Sequence, residues 1–562
     1  MDCDKIIFGI CFIEQSYSTG SSIFGFGDFI SALALLVIVY TVVDIRYQFR
    51  VAIAPFPLFI YTYFLIGFIG FGTLITDIWD SEDWLVPASL INQPIWEGIL
   101  GGLFLLLALT WIYYAFINPP IYNDKNYKKY SKYLYRAILK GSDDTLPVIA
   151  DELGRSAEEL IRYSYTIQQR SHIYHENKNI EPNASNYAFE MLLLIGNRKF
   201  CRHVINSAPG TAIYIFESMT KNDKYDLPIG QFSSNITKEA ILNNDSILYH
   251  EDHGYKSGLL GYIKPFSQAI YGNYDLVEQL GKDINSPLDL GYEEKILNSP
   301  NNLKVYSRIV KITFSDYLKK NNTRTRSTSL NRALSAIKDN CRGLYLLNNN
   351  PDYYSTEQYE RLFIVMSFFK DLIELINESP PLPAKLRSRD DNIRHYDDFY
   401  DHITNHLFEI IFMASSVKSD RDVSWNIQHN TVWGEIFDIY NGKAWDIIRF
   451  KLRRMLYDEI LRLEKTPNFK SSKILGLCLN VMGLKIGNKK EHGKEVYALR
   501  KVIINWTKSN YLRLRKEYPE IADSVITGFL SYDEKNNRIV KTYNSMYGKE
   551  GERVYLDLVS PN

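Results

Sequence analysis

Val51-Ala-Ile-Ala-Pro-Phe-Pro-Leu-Phe-Ile-Tyr-Thr-Tyr-Phe-Leu-Ile-Gly-Phe-Ile-Gly-Phe-Gly-Thr-Leu-Ile-Thr76 runs for 26 residues without Asp, Glu, Lys or Arg, and Gly98 to Asn123 does so for another 26. A helix crosses a hydrocarbon core with roughly 20 apolar residues, so both stretches are expected to span a membrane. Upstream, Phe29 to Val43 is apolar for only 15 residues and reaches bilayer length by borrowing Ile23 to Gly27 across Asp28. It is read as the first of three spans.

The charges between the spans assign sides. Arg46 and Arg50 follow the first stretch, and Lys125, Lys128, Lys129, Lys132, Arg136 and Lys140 follow the third, whereas the loop between the second and third has Asp77, Asp80, Glu82 and Asp83 and no basic residue. Basic loops stay on the cytoplasmic side. The N-terminus and the Asp77 to Asn92 loop are therefore expected outside, and the chain from about residue 121 in the cytoplasm, with a bacterial plasma (inner) membrane as the simplest home. Trp79, Trp84 and Trp96 at one boundary, and Trp111, Tyr113 and Tyr114 at the other, match interfacial aromatic belts. The opening Met-Asp-Cys-Asp-Lys, with Glu14 beyond it, lacks the basic start and continuous apolar core of a signal peptide. Residues 1–28 are read as an external tail, lying on the surface through Ile6 to Ile13, where Cys3 and Cys11 can pair in an oxidising compartment.

With 65 basic and 65 acidic residues, the chain has no global field that would draw nucleic acid, and none is expected as a partner. Cys201, Cys341 and Cys478 show no C-x-x-C spacing and read as buried thiols. The tail is expected to be helical and to divide at the polar run Asn321 to Ser329, Asn-Asn-Thr-Arg-Thr-Arg-Ser-Thr-Ser. The organisation is thus a tail (1–28), a three-helix membrane region (29–120), a basic, tyrosine-rich juxtamembrane segment (121–140), and two helical domains (141–320 and 330–562). Ser355 with Gln358 predicts a capped helix to about Asn377, with Leu362, Met366, Phe369, Leu372 and Ile376 on one stripe, stopped by Pro380, Pro381 and Pro383. Further helices are expected near 396–415, 432–464, 472–484 and 495–516, and one terminal hairpin from Arg538 to Tyr543 and Arg553 to Val559. The fold class is all-α with three transmembrane helices and at most this minor hairpin.

Four clusters are candidates for chemistry. Pro147 to Ile161 (Pro-Val-Ile-Ala-Asp-Glu-Leu-Gly-Arg-Ser-Ala-Glu-Glu-Leu-Ile) resembles a DNA-binding helix-turn-helix in its Ala150, Gly154 and Leu160 spacing. Its second helix, however, offers Glu158 and Glu159 where base reading needs basic or amide groups, so it is read as a structural hairpin. His250, Glu251, Asp252 and His253 form the densest titratable cluster and are the candidate catalytic residues. Lys256 and Lys264, beside Gly254, Gly258 and Gly261, are candidates for holding an anionic ligand. Asp398, His402, His406 and Glu409 share one arc of a helix and are weak candidate metal ligands that would need a second helix to complete a site. Gly487-x5-Gly493-Lys494-Glu495 fails as a phosphate loop, having one residue too many and Glu where magnesium needs Ser or Thr.

No cofactor is called for. Lys125, Lys128, Lys129, Lys132 and Arg136 are expected at the membrane surface, where anionic lipid attracts each by about 1 kcal/mol. The functional expectation is a multipass membrane-anchored protein whose cytoplasmic helical region acts as a sensor, scaffold or effector that binds a protein partner, in bacterial stress or phage defence. The alternatives are a membrane-anchored metal-dependent hydrolase, and an oligomeric pore-forming effector built through Gly67, Gly70 and Gly72, small residues that favour close helix contact.

Overall fold

A computed structural model describes residues 5–7, 10–13, 23–42, 44–82, 84–87, 93–176, 181–253, 264–282, 284–320, 327–380, 382, 384, 398–438, 440–543 and 551–559. The described residues are mostly helix, 73%, with a small share of strand, which meets the all-α expectation with a minor sheet. It forms two compact units, Met1–Phe232 and Ser233–Asn562.

In the first unit the apolar stretches become α1 (Phe26–Val42), α3 (Leu58–Ser81) and α4 (Gln93–Ile112), and the short amphipathic helix α2 (Ile45–Ala52) follows α1. Among the described residues two helices, Leu58–Ser81 and Gln93–Ile117, are long and apolar enough to cross a membrane. This corrects the expectation of three. α1 ends at Val42, close to the expected end, where Asp44 accepts from Arg46 N as the N-cap of α2, but it begins only at Phe26, so most of the borrowed residues stay outside it and it has 17 residues, about 25 Å of rise. Carboxylates tether its start. Glu97, 2% exposed, accepts from Ile23 N (2.7 Å) and Phe24 N (3.4 Å), and Asp77 accepts from Phe26 N at 3.0 Å.

The glycines of α3 serve contacts within the chain. A Cβ at Gly70 would meet the Phe29 ring of α1 at 2.7 Å, and one at Gly72 would meet Leu100 of α4 at 3.1 Å, while Gly67 faces open space. Ile6 to Ile13, expected to lie on a surface, instead contributes β1 (Lys5–Ile7) and β2 (Ile10–Ile13), an antiparallel pair extended by β3 (Val86–Pro87). The suggested Cys3 pairing falls outside the described residues.

Beyond α4 the chain makes one π turn, Tyr113–Ile117, and enters α5 (Tyr127–Lys140), α6 (Thr145–Arg155), α7 (Ala157–Tyr163), α8 (Ile167–Glu176), α9 (Ala184–Leu194), α10 (Arg198–Ser207) and α11 (Pro209–Lys221). Gly154 lies in the last turn of α6 and lets it close on α11. A Cβ there would sit 2.9 Å from Thr211 Oγ1, and Thr211 Oγ1 itself donates to Ala150 O. The helix-turn-helix look-alike is a packed hairpin whose Glu158 and Glu159 pair with Lys221 and Arg162.

The second unit is built on long helices. Thr356, one residue after the expected cap, accepts from Tyr359 N and opens Glu357–Glu378, with all five predicted stripe residues buried. Phe399–Ala414, Phe469–Met482 and Lys489–Glu517 match expected helices. The helix expected at 432–464 is interrupted at Gly442 (φ 141°), where a Cβ would strike the Asn377 amide, and resumes as Lys443–Lys465. Residues 321–326 of the expected boundary lie outside the described residues, and Ser327 caps the helix Thr328–Asp339. The terminal hairpin forms as β5 (Arg538–Thr542) and β6 (Arg553–Asp557), with a further strand, β4 (Leu530–Asp533), on the other side of β5. Cys201, Cys341 and Cys478 are buried, as expected.

Candidate functional site

The most elaborate polar junction in the first unit lies where the apolar helices meet the helices that follow. α2 carries Arg46 and Arg50 one turn apart. Arg50, 7% exposed, donates from Nε and Nη2 to both oxygens of Glu152 (3.0 and 2.6 Å) and from Nη1 to Ala115 O (2.9 Å). Glu152, 3% exposed, sits on the inward arc of α6 beside Ile149 and Leu153, and Arg46 adds an ion pair to Asp151 at 3.0 Å. One guanidinium thus ties three segments together: the helix between the apolar stretches, the π turn after α4, and α6. A forked guanidinium satisfied on both sides in this way is geometrically specific, and π turns often occur where a helix is adapted to function.

α5 completes the junction. The Asn126 amide donates to Ile53 O and Ile121 O, and Lys129 Nζ donates to Ala54 O (3.0 Å) and Phe56 O (3.2 Å), so the exposed carbonyls after α2 are satisfied by side chains. Desolvation at these contacts holds the Lys129 pKa below the usual lysine range. Tyr130, Leu134 and Ile138 bury the inner face of α5, while Lys128, Lys129, Lys132 and Arg136, with Lys125 just before the helix, are exposed. All five basic residues predicted for a membrane surface are therefore exposed, although the ammonium of Lys129 is also taken up by carbonyls of the segment after α2. Sequence reading missed Glu152, although one signal was available: an acidic residue three positions after Ile149, on the apolar arc.

The titratable cluster at 250–253 is divided. His250 is exposed, whereas Glu251 is fully buried and accepts from Phe266 N (2.8 Å), Ser267 N (3.0 Å) and Ser267 Oγ (2.5 Å). It caps the helix Pro265–Tyr271, so its lone pairs are taken by the fold. The side chains of Asp252 and His253, and residues 254–263 with Lys256, lie outside those described; Lys264 is half-buried just before Pro265.

The helical quartet does not converge. Asp398 is the N-cap of Phe399–Ala414 and pairs with buried Lys451 at 3.0 Å; Glu409 pairs with Lys470 at 2.7 Å. His402 Nε2 lies 3.5 Å from the Asn331 amide. His406 is buried against Phe369, and desolvation, helped by Lys338 and His402, pushes its pKa down to about 3. Among the described residues no three His, Cys, Asp or Glu side chains gather where a metal ion could be held. Lys485, Lys489 and Lys490 are exposed around Gly487, in a turn shaped by positive φ at Gly483, Gly487 and Gly493.

A second buried polar network ties the terminal sheet to its unit. Gln428 Nε2 donates to Val417 O and Thr527 Oγ1, Asn480 Nδ2 donates to Gln428 Oε1, and Lys541 Nζ donates to Asn480 O at 2.5 Å. Lys541 is 1% exposed and lies over the rings of Trp425 (4.9 Å) and Tyr543 (4.6 Å). Burial, with Arg500 nearby, lowers its pKa to about 8. The aromatic faces and one carbonyl occupy this ammonium, which reads as internal bracing.

No family model and no curated protein matches the chain. A solved structure described as a crystal structure of an engineered protein aligns with 70% of this chain and 97% of its own at 12% identity, with a TM-score of 0.18, too low to indicate a shared fold.

Proposed function

We propose that the protein is a multipass membrane-anchored scaffold or sensor whose helical region, on the cytoplasmic side of a plasma membrane, binds a protein partner, with the anchor joined rigidly to the helices that follow. The observation that carries this reading is the buried Arg50–Glu152–Ala115 junction. A passive tether needs only a flexible linker, whereas a two-pronged ion pair at the foot of the apolar helices makes α6 sense any displacement of α2 or α4. The outward basic face of α5 supports the same placement, since it suits an anionic lipid surface.

The test is native electrophoresis of the full chain solubilised from its own membrane in mild detergent. Wild type should migrate as an assembly heavier than the chain with its micelle, and Glu152→Gln should weaken that assembly while leaving the protein in the carbonate-washed membrane pellet. A chain that runs alone in both forms overturns the partner-binding reading, and one released by carbonate overturns the anchor.

A further inference from the structure

The space between the middle of α1, α2 and the later half of α4 is incompletely filled. A cavity of about 270 Å³ remains there. Its wall runs along α4 and the π turn through Phe104, Ala108, Trp111 and Phe116, faced by Leu35 of α1 and Val51 of α2. Phe104 to Phe116 is twelve residues, about 18 Å of helix rise, close to half of the roughly 30 Å hydrocarbon core. The slot is therefore as long as one leaflet is deep.

Its chemistry is that of hydrocarbon. The Trp111 indole N–H is committed to Thr62 Oγ1 at 2.9 Å, which leaves Gln48 and Tyr47, both from α2, as the polar lining groups. The mouth opens sideways, since Leu35, Ile112 and Phe116 are 64%, 46% and 55% exposed. At the α2 end, Arg46 lies next to Tyr47 in the chain, its guanidinium paired with Asp151 at 3.0 Å and its side chain 38% exposed. An apolar slot about one leaflet deep, with exposed apolar side chains at its mouth and polar Tyr47 and Gln48 at its α2 end, fits a phospholipid chain.

We propose that this slot holds one acyl chain of a phospholipid from the leaflet on the Arg46 side, with the headgroup phosphate at the α2 end. The inference rests on the membrane reading above. Apolar side chains gain nothing from leaving lipid for lipid, so selection comes from packing: an unfilled slot forfeits the contacts of its whole lining, and a single chain restores them.

The experiment is native mass spectrometry of the full chain, delipidated in mild detergent and reloaded from dioleoylphosphatidylglycerol. Wild type should retain one phospholipid per chain. Ala108→Phe and Ala32→Phe, which fill the slot from opposite walls, should each reduce retention at least tenfold at an unchanged melting temperature, and Leu106→Phe, on an exposed position outside the slot, should retain lipid as wild type does. Equal retention by wild type and both filling variants, no retained lipid in wild type, or a fatty-acid mass from the native membrane in place of a phospholipid mass overturns the proposal. Carbonate extraction of the same proteins separates the two readings. A chain that stays in the membrane yet carries no lipid overturns the slot alone, and one that is washed out overturns the anchor as well.

Discussion

Glu251 shows how an apparently catalytic residue can be spoken for by the fold. Three donors converge on its carboxylate, and Glu251→Ala would leave two buried backbone N–H groups unpaired. We expect a loss of about 1–3 kcal/mol, read as a lowered melting temperature, while exposed His250→Ala stays within about 0.5 kcal/mol. Equal losses would contradict this assignment. His406 yields a prediction in pH. Its folded pKa of about 3 lies below the ordinary 6.5, so between these values the unfolded chain binds the extra proton. That contribution is intact above pH 6.5 and declines as pH falls through the window, by up to about 1.4 kcal/mol per pH unit. His406→Phe should flatten the acid limb of a stability–pH curve; an unchanged limb would count against a buried neutral imidazole. Neither role was legible in the sequence. Titratable residues clustered along a chain look alike whether they face a ligand, a helix end or a core, and only the opposing elements tell them apart.

At the scale of elements, α3 and α4 were legible because an uncharged run of bilayer length leaves a helix few alternatives. α1 was overestimated at its start, since composition alone does not reveal that Glu97 and Asp77 would take up the backbone of Ile23, Phe24 and Phe26, and the β1–β2–β3 sheet escaped because Val86 and Pro87 lie far along the chain from the strand they extend. The Arg50–Glu152 contact spans 102 positions, beyond the reach of any local pattern. Removing one partner of a buried pair strands a charge, so Arg50→Met or Glu152→Met should cost about 3–5 kcal/mol. The double variant should cost less than the sum of the two, as thermal unfolding in detergent or nanodiscs will show. Additive losses would mean that the two side chains do not act as a pair.

For the whole molecule, the alternation of basic and acidic connections predicts a sided arrangement that can be checked directly. A cysteine placed in the Asp77 to Asn92 loop should label with an impermeant maleimide in intact cells, and a reporter after Asn562 should behave as cytoplasmic; labelling only after permeabilisation would reverse the arrangement. The π turn at Tyr113–Ile117, where Asn118 N reaches back to Tyr113 O at 2.8 Å, has a bearing on how this chain can vary over generations. A π turn amounts to one residue more than an α-helix needs. Deleting a residue there would leave a smoother helix that is no weaker locally, but it would turn everything downstream by about 100° and swing the Ala115 carbonyl away from Arg50. Lineages of this protein should therefore tolerate changes of residue type in this turn far better than changes of its length.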